Sequence, residues 1–160
     1  TGVRVGLAMA KGLCALGQPR LVVVSSLEAL ARRALAGEHV DAVVPVFNAR
    51  LCEVFAAAFA PAGECLLAEG AFTPDELAAA LPAGRLLLAG DGAVAMAELL
   101  GERATLARLD RRLPGPETVA LLGRELALAG RFTPPDDAAP TYLRDARVSA
   151  PKKRSTLGEG

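Results

Sequence analysis

TGVRVGLAMAKGLCALGQPRLVVVSSLEAL, residues 1–30, sets the terms for the rest of the chain. Read as a helix, Gly2 to Leu16 is apolar or small nearly all the way round. Arg4 and Lys11 are its only polar positions, with Gln18 just beyond, and they fall near one stripe. A surface helix carries one apolar face and a broad polar one; a helix apolar on most sides is buried on more than one. Gly2, Gly6 and Ala10 step by four, as do Ala8 and Gly12. Small residues at that spacing form a groove that lets a second helix approach and gain dispersion contacts. One side of this helix is therefore expected to pack on its own sheet, and the other to meet a helix of this chain or of a partner.

Gly17 and Pro19 stop the helix. Leu21 to Val24 follows, a run of aliphatic residues that predicts a strand buried on both faces. Ser25 and Glu28 form a capping box for a second helix. Its apolar stripe is Leu27, Leu30, Ala31, Ala34 and Leu35, Glu28 and Arg32 are placed to pair across one turn, and Gly37 ends it. Helix, strand, helix with tight joins is an α/β pattern.

From Asp41 the runs Ala42 to Phe47, Cys52 to Phe59 and Cys65 to Ala68 predict an antiparallel meander. Asn48-Ala49-Arg50 and Pro61-Ala62-Gly63 supply its turns. Thr73-Pro74-Asp75-Glu76 is a second capping box, opening a helix to Leu81. A strand is expected over Arg85 to Ala89, a helix over Ala93 to Leu100, a weak strand over Ala104 to Leu109, and an amphipathic helix over Pro116 to Ala129. Residues 41–130 thus read strand, strand, strand, helix, strand, helix, strand, helix. Residues 1–37 look like a copy of that unit without its opening meander. The chain starts on Thr1 with no capping residue ahead of it, so the expectation is a truncated chain. Residues 1–40 would be the remainder of a first lobe, 41–144 a second lobe, and 145–160 a disordered basic tail.

Composition narrows the functional classes. The chain has 160 residues, of which 52% are hydrophobic but only 4% aromatic, so its core must be built from Ala, Leu and Val. Lys+Arg and Asp+Glu are 18 each, which argues against binding nucleic acid by bulk charge. No long apolar run is free of charge, so no membrane span is expected. Cys14, Cys52 and Cys65, an odd number in apolar contexts, read as buried thiols of a reducing, cytoplasmic compartment.

The chemical motifs are sparse. Gly90-Asp91-Gly92 after a buried strand could approach a phosphate, but no basic residue stands beside it, and an Asp capping the next helix explains it as well. There is no Walker motif and no GxGxxG. Asp41 and Glu53 are separated by a turn and read as surface carboxylates. Ser25 and Ser26 lack a nucleophile elbow, and no triad or metal site can be assembled, so hydrolysis is rejected. Arg144, Arg147, Lys152, Lys153 and Arg154 could touch phosphates, yet no aromatic residue is interleaved for stacking.

TGVRVGLAMAKGL at the start, VSSLEALA, FNARLCEVFAA and PTYLR near the end together resemble the bacterial TsaB family, over nearly all of residues 1–144. Thr1 and Gly2 match the end of that family's Gly-Pro-Gly-Ser-Phe-Thr-Gly run. Asn48-Ala49-Arg50-Leu51-Cys52-Glu53-Val54-Phe55 matches its Asp-Ala-Arg-x-x-Glu-Val-Tyr motif, with Asn for Asp and Phe for Tyr. The resemblance implies an α/β, actin-like and sugar-kinase-like (RNase H-like) two-lobe fold whose first lobe is incomplete here, lacking its N-terminal strands. It also implies a role in making N6-threonylcarbamoyladenosine on transfer RNA, as the non-catalytic subunit that binds and positions the catalytic subunit TsaD. The complex would include a TsaE-type ATPase, and transfer RNA would be met only through the complex. No cofactor is expected, because ATP and the threonylcarbamoyl-adenylate belong to the other subunits. The catalytic relative carries a His-x-x-x-His pair for its metal at the start of the second helix; here those positions are Ser26 and Leu30, and the chain's one histidine is His39 in a turn. The resemblance places the partner contact on the first two helices, with Gly6, Met9, Leu13, Leu27 and Leu30 as candidates, and implies that the same surface can self-associate. The rival reading is a small nucleotide-binding enzyme of the sugar-kinase superfamily using Gly90, Asp91 and Gly92.

Overall fold

The computed structural model describes residues 2–17, 19–35, 37–49 and 51–143. The basic tail and its arginines and lysines lie outside the described residues, as do Thr1, Gln18, Ala36 and Arg50. Helix α1 (Gly2–Ala15) and helix α2 (Ser26–Leu35) come first. Strands β1 (Ala42–Asn48), β2 (Val54–Phe59) and β3 (Cys65–Phe72) then form the meander. Helix α3 (Pro74–Ala80), strand β4 (Leu86–Ala89), helix α4 (Ala93–Leu100), strand β5 (Ala104–Leu106) and helix α5 (Pro116–Leu128) complete the order.

The strands form one five-stranded sheet in the order β3-β2-β1-β4-β5. β2 runs antiparallel to both β1 and β3, whereas β4 pairs parallel with β1 and with β5. The β2–β3 pairing carries register shifts between Ala56 and Ala58 and between Ala58 and Phe59. β1 is central and buried on both faces, which its continuous AVVPVF run requires. Val44 and Val46 point to one side, where Leu77 of α3 and Met96 of α4 cover them. Val43 points to the other, where Leu27, Leu30, Ala31 and Ala34 of α2 cover it. Each fully buried Leu contributes about 1.5–3 kcal/mol to holding these layers together.

Several expectations are corrected. Leu21–Val24 joins no strand ladder; the segment is irregular, and the Leu21 carbonyl accepts a hydrogen bond from the Thr133 amide at 2.8 Å. A strand needs a neighbour to satisfy its backbone, and none of the described residues offers one there. Among the described residues no strand packs beneath α1, and none of its residues is buried. α2 packs on the sheet formed by residues 42–106. Arg32 pairs with Glu125 of α5 rather than with Glu28, and Arg33 reaches Glu117 at 3.3 Å and the Asp110 carbonyl at 3.0 Å. Long side chains on α2 favour the helix packed beside them over their own next turn. Cys52 and Cys65 are exposed and Cys14 is half-buried. Cys52 lies in the hairpin turn after β1, and Cys65 starts the outermost strand, so neither position faces the core.

Candidate functional site

α1 is the feature that ordinary folding does not explain. A helix turns about 100° per residue, so Val5, Met9 and Leu13 line up along one side, and Leu16 follows in the turn just past Ala15. Met9 is 68% exposed, Leu13 61% and Leu16 82%. Gly2, Gly6 and Gly12 lie among them, and a methyl group added at any of the three would touch nothing within 4 Å. This face is apolar, small-residue-rich and open. The opposite side, with Val3, Leu7 and Ala10, looks into a groove of about 480 Å³ walled by residues 21–27, Phe47 and Phe55. α1 therefore has two apolar faces, and among the described residues neither is fully covered.

Of the five candidate contact residues, Gly6, Met9 and Leu13 lie on the open face or its margin. Leu27 (3% exposed) and Leu30 (fully buried) do not join them, because they are core residues against Val43 and Leu87. Val5 and Leu16 are exposed beside Met9 and Leu13, at spacings of i, i+4 and i+3 that are readable as one stripe. Ser25 accepts the amides of Leu27 (3.1 Å) and Glu28 (3.3 Å), so it caps α2, while its hydroxyl donates to Glu69 of β3. Those contacts are the ones a helix cap makes.

The Gly90-Asp91-Gly92 turn is built for packing. Gly90 has φ 108°, and a side chain there would collide with the Val46 carbonyl. The amides of Gly90, Gly92 and Ala93 are already given to the carbonyls of Arg112 (2.8 Å), Val46 (3.1 Å) and Gly90 (3.3 Å). Asp91 does not cap α4, which starts at Ala93 with Gly92 in the N-cap position and no side-chain cap. Its carboxylate instead accepts the Asn48 amide at 2.8 Å, and the Asn48 side chain donates back to the Asp91 carbonyl at 3.1 Å. β1 is thereby tied to the turn. A phosphate cradle needs unspent amides, and these three are spent.

Asp41 and Glu53 flank opposite ends of β1, and Asp41 accepts the Arg85 amide at 2.7 Å. They do not form a carboxylate pair. Among the described residues no three His, Cys, Asp or Glu side chains could hold a metal ion together, and no helix is long and apolar enough to cross a membrane. Among the described residues two carboxyls have displaced acidity, and both are held in local structural contacts. Glu76 is held below the ordinary glutamate value by hydrogen bonds from the Thr73 backbone and side chain, and Asp110 is lowered by its hydrogen bond from Arg108.

A mixed sheet of this order, layered by helices, with an apolar helix standing open at one end, defines an actin-like, RNase H-like α/β protein. Residues 1–130 match the family "TsaD: tRNA N6-adenosine threonylcarbamoyltransferase", and the chain belongs to that family. The fold is similar to that of YeaZ from Pseudomonas aeruginosa, at 27% identity and a TM-score of 0.71 over 88% of this chain and 68% of that one. It is also similar to an uncharacterised P. aeruginosa protein described as resembling the peptidase YeaZ, at 26% identity and a TM-score of 0.73 over 89% of this chain and 68% of that one. These neighbours are of the YeaZ, or TsaB, type, as the opening motifs imply. No curated protein matches the chain.

Proposed function

We propose that this chain is a non-catalytic scaffold for threonylcarbamoyladenosine synthesis on transfer RNA. It binds and positions a TsaD-type catalytic subunit through the open face of α1. The observation that carries this reading is the stripe Val5, Met9, Leu13 and Leu16, exposed beside glycines that allow a second helix to come close. Contiguous exposed apolar surface of this kind marks an interaction site. Membership of the family supports the choice of pathway, and the spent amides at the Gly90 turn speak against a nucleotide enzyme. The work done is helix burial between subunits; chemistry, ATP and a TsaE-type ATPase stay with the rest of the complex, in the cytoplasm. When the catalytic subunit is absent, the same face offers a route to a homodimer.

Co-expression with a TsaD-type subunit tests this. The wild-type chain is expected to co-purify with it and to show no ATP binding by calorimetry. Met9→Asp and Leu13→Asp are each expected to weaken capture by at least tenfold, as for central residues of an interface. Tight ATP binding by the isolated chain, with no capture, would favour the nucleotide enzyme instead.

A further inference from the structure

With none of its described residues buried, α1 needs something other than a core to fix its direction. The segment after α5, residues 131–143, supplies it. At the exit of α1 the Arg20 guanidinium lies 3.4 Å above the centre of the Phe132 ring, and the next residue of each strand of chain is joined by the Thr133 amide to Leu21 carbonyl bond of 2.8 Å. At the entrance of α1 the Arg4 guanidinium lies 5.4 Å from the centre of the Tyr142 ring. Between these two points Ala138 is buried, and beyond them Leu143 packs against the core under α2. The segment is thus anchored to the body of the protein and holds α1 at both ends.

We infer that residues 131–143 act as a strap that sets how α1 is presented, so that the open apolar face is displayed only while the strap is seated. Both cation–aromatic contacts are at the surface, where such pairs are weak, so the strap is releasable without unfolding the sheet. A ligand or partner that pulls the strap away changes the affinity of the α1 face, and occupation of that face tightens the strap by the same factor. The inference rests on the partner reading only for the consequence of release, not for the strap itself.

Hydrogen exchange on the full chain tests it. In a Phe132→Ala, Tyr142→Ala double variant, amides of α1 are expected to exchange roughly tenfold faster, with β1 and β4 unchanged, since local opening scales with the few contacts that oppose it. Tyr142→Phe, which keeps the ring face, is expected to exchange like the wild type. Arg4→Gln with Arg20→Gln removes the same contacts from the other side and must reproduce the double alanine result. Should the alanine variant lose protection in β1 and β4 as well, the arginine variant decides. Unchanged α1 exchange in the arginine variant overturns the strap. If exchange rises as expected but the wild type never captures a TsaD-type subunit, the partner reading fails and the strap stands.

Discussion

Gly90 and Leu51 show how single residues carry the backbone of this fold. Gly90 combines a left-handed φ with contact against the Val46 carbonyl, so Gly90→Ala meets both strain and a clash with main chain. Its cost should be about 3 kcal/mol or more, read from denaturant unfolding. Leu51 and Cys52, in the turn after β1, adopt φ 64° and 60°, a region that suits Gly or Asn better than a branched side chain. Leu51 is 76% exposed and gives up little packing if replaced. Leu51→Asn should therefore raise stability by about 1 kcal/mol in the same assay. Both effects are invisible in composition: one comes from a neighbouring strand, the other from the shape of a hairpin.

At the scale of elements, α1 and α2 both carry leucines at helical spacing but differ in what covers them. Leu30→Ala should cost about 2–5 kcal/mol by leaving a cavity under α2, whereas Met9→Ala and Leu13→Ala should stay within about 0.5 kcal/mol of the wild type. Thermal melts of the three variants separate core from open face without reference to any partner. α3 offers a second measurement. Thr73 and Glu76 satisfy each other reciprocally, at 2.8 Å to the Thr73 amide and 3.3 Å from the Glu76 amide. The Glu76 pKa is lowered from its ordinary 4.5 in the folded chain, so its stabilising share is complete above that value and is lost as pH falls through the lower folded pKa. In Thr73→Ala, an NMR titration should find the Glu76 pKa raised only part of the way towards the ordinary glutamate value, because the backbone amide at position 73, the larger cause of the lowering, still donates to the carboxylate.

For the molecule as a whole, the order of elements from β1 to α5 was readable because each carries its own local signal. Thr73-Pro74 begins α3, Gly90 ends β4, and Pro116 starts α5 within a residue of where the sequence places them. Leu21–Val24 was not readable, since a strand exists only through its neighbours and the aliphatic run says nothing of theirs. Asp91 was misread because a cap and a tie to Asn48 require the same residue type, and only tertiary structure chooses between them. The candidate site was legible as a helix but not as a face: Leu27 and Leu30 carry the same letters as Leu13, and the sheet beneath α2 is what distinguishes them. The register shifts in the β2–β3 pairing have a further effect. β3 is the outermost strand on its side, where a straight ladder would present evenly ruled donors and acceptors to any passing chain. Its broken spacing leaves an incoming strand out of step after a few bonds. Beside a helix whose apolar side chains stand exposed, a regular open edge would add a fibril template, and the broken spacing of β3 withholds one on this side of the sheet.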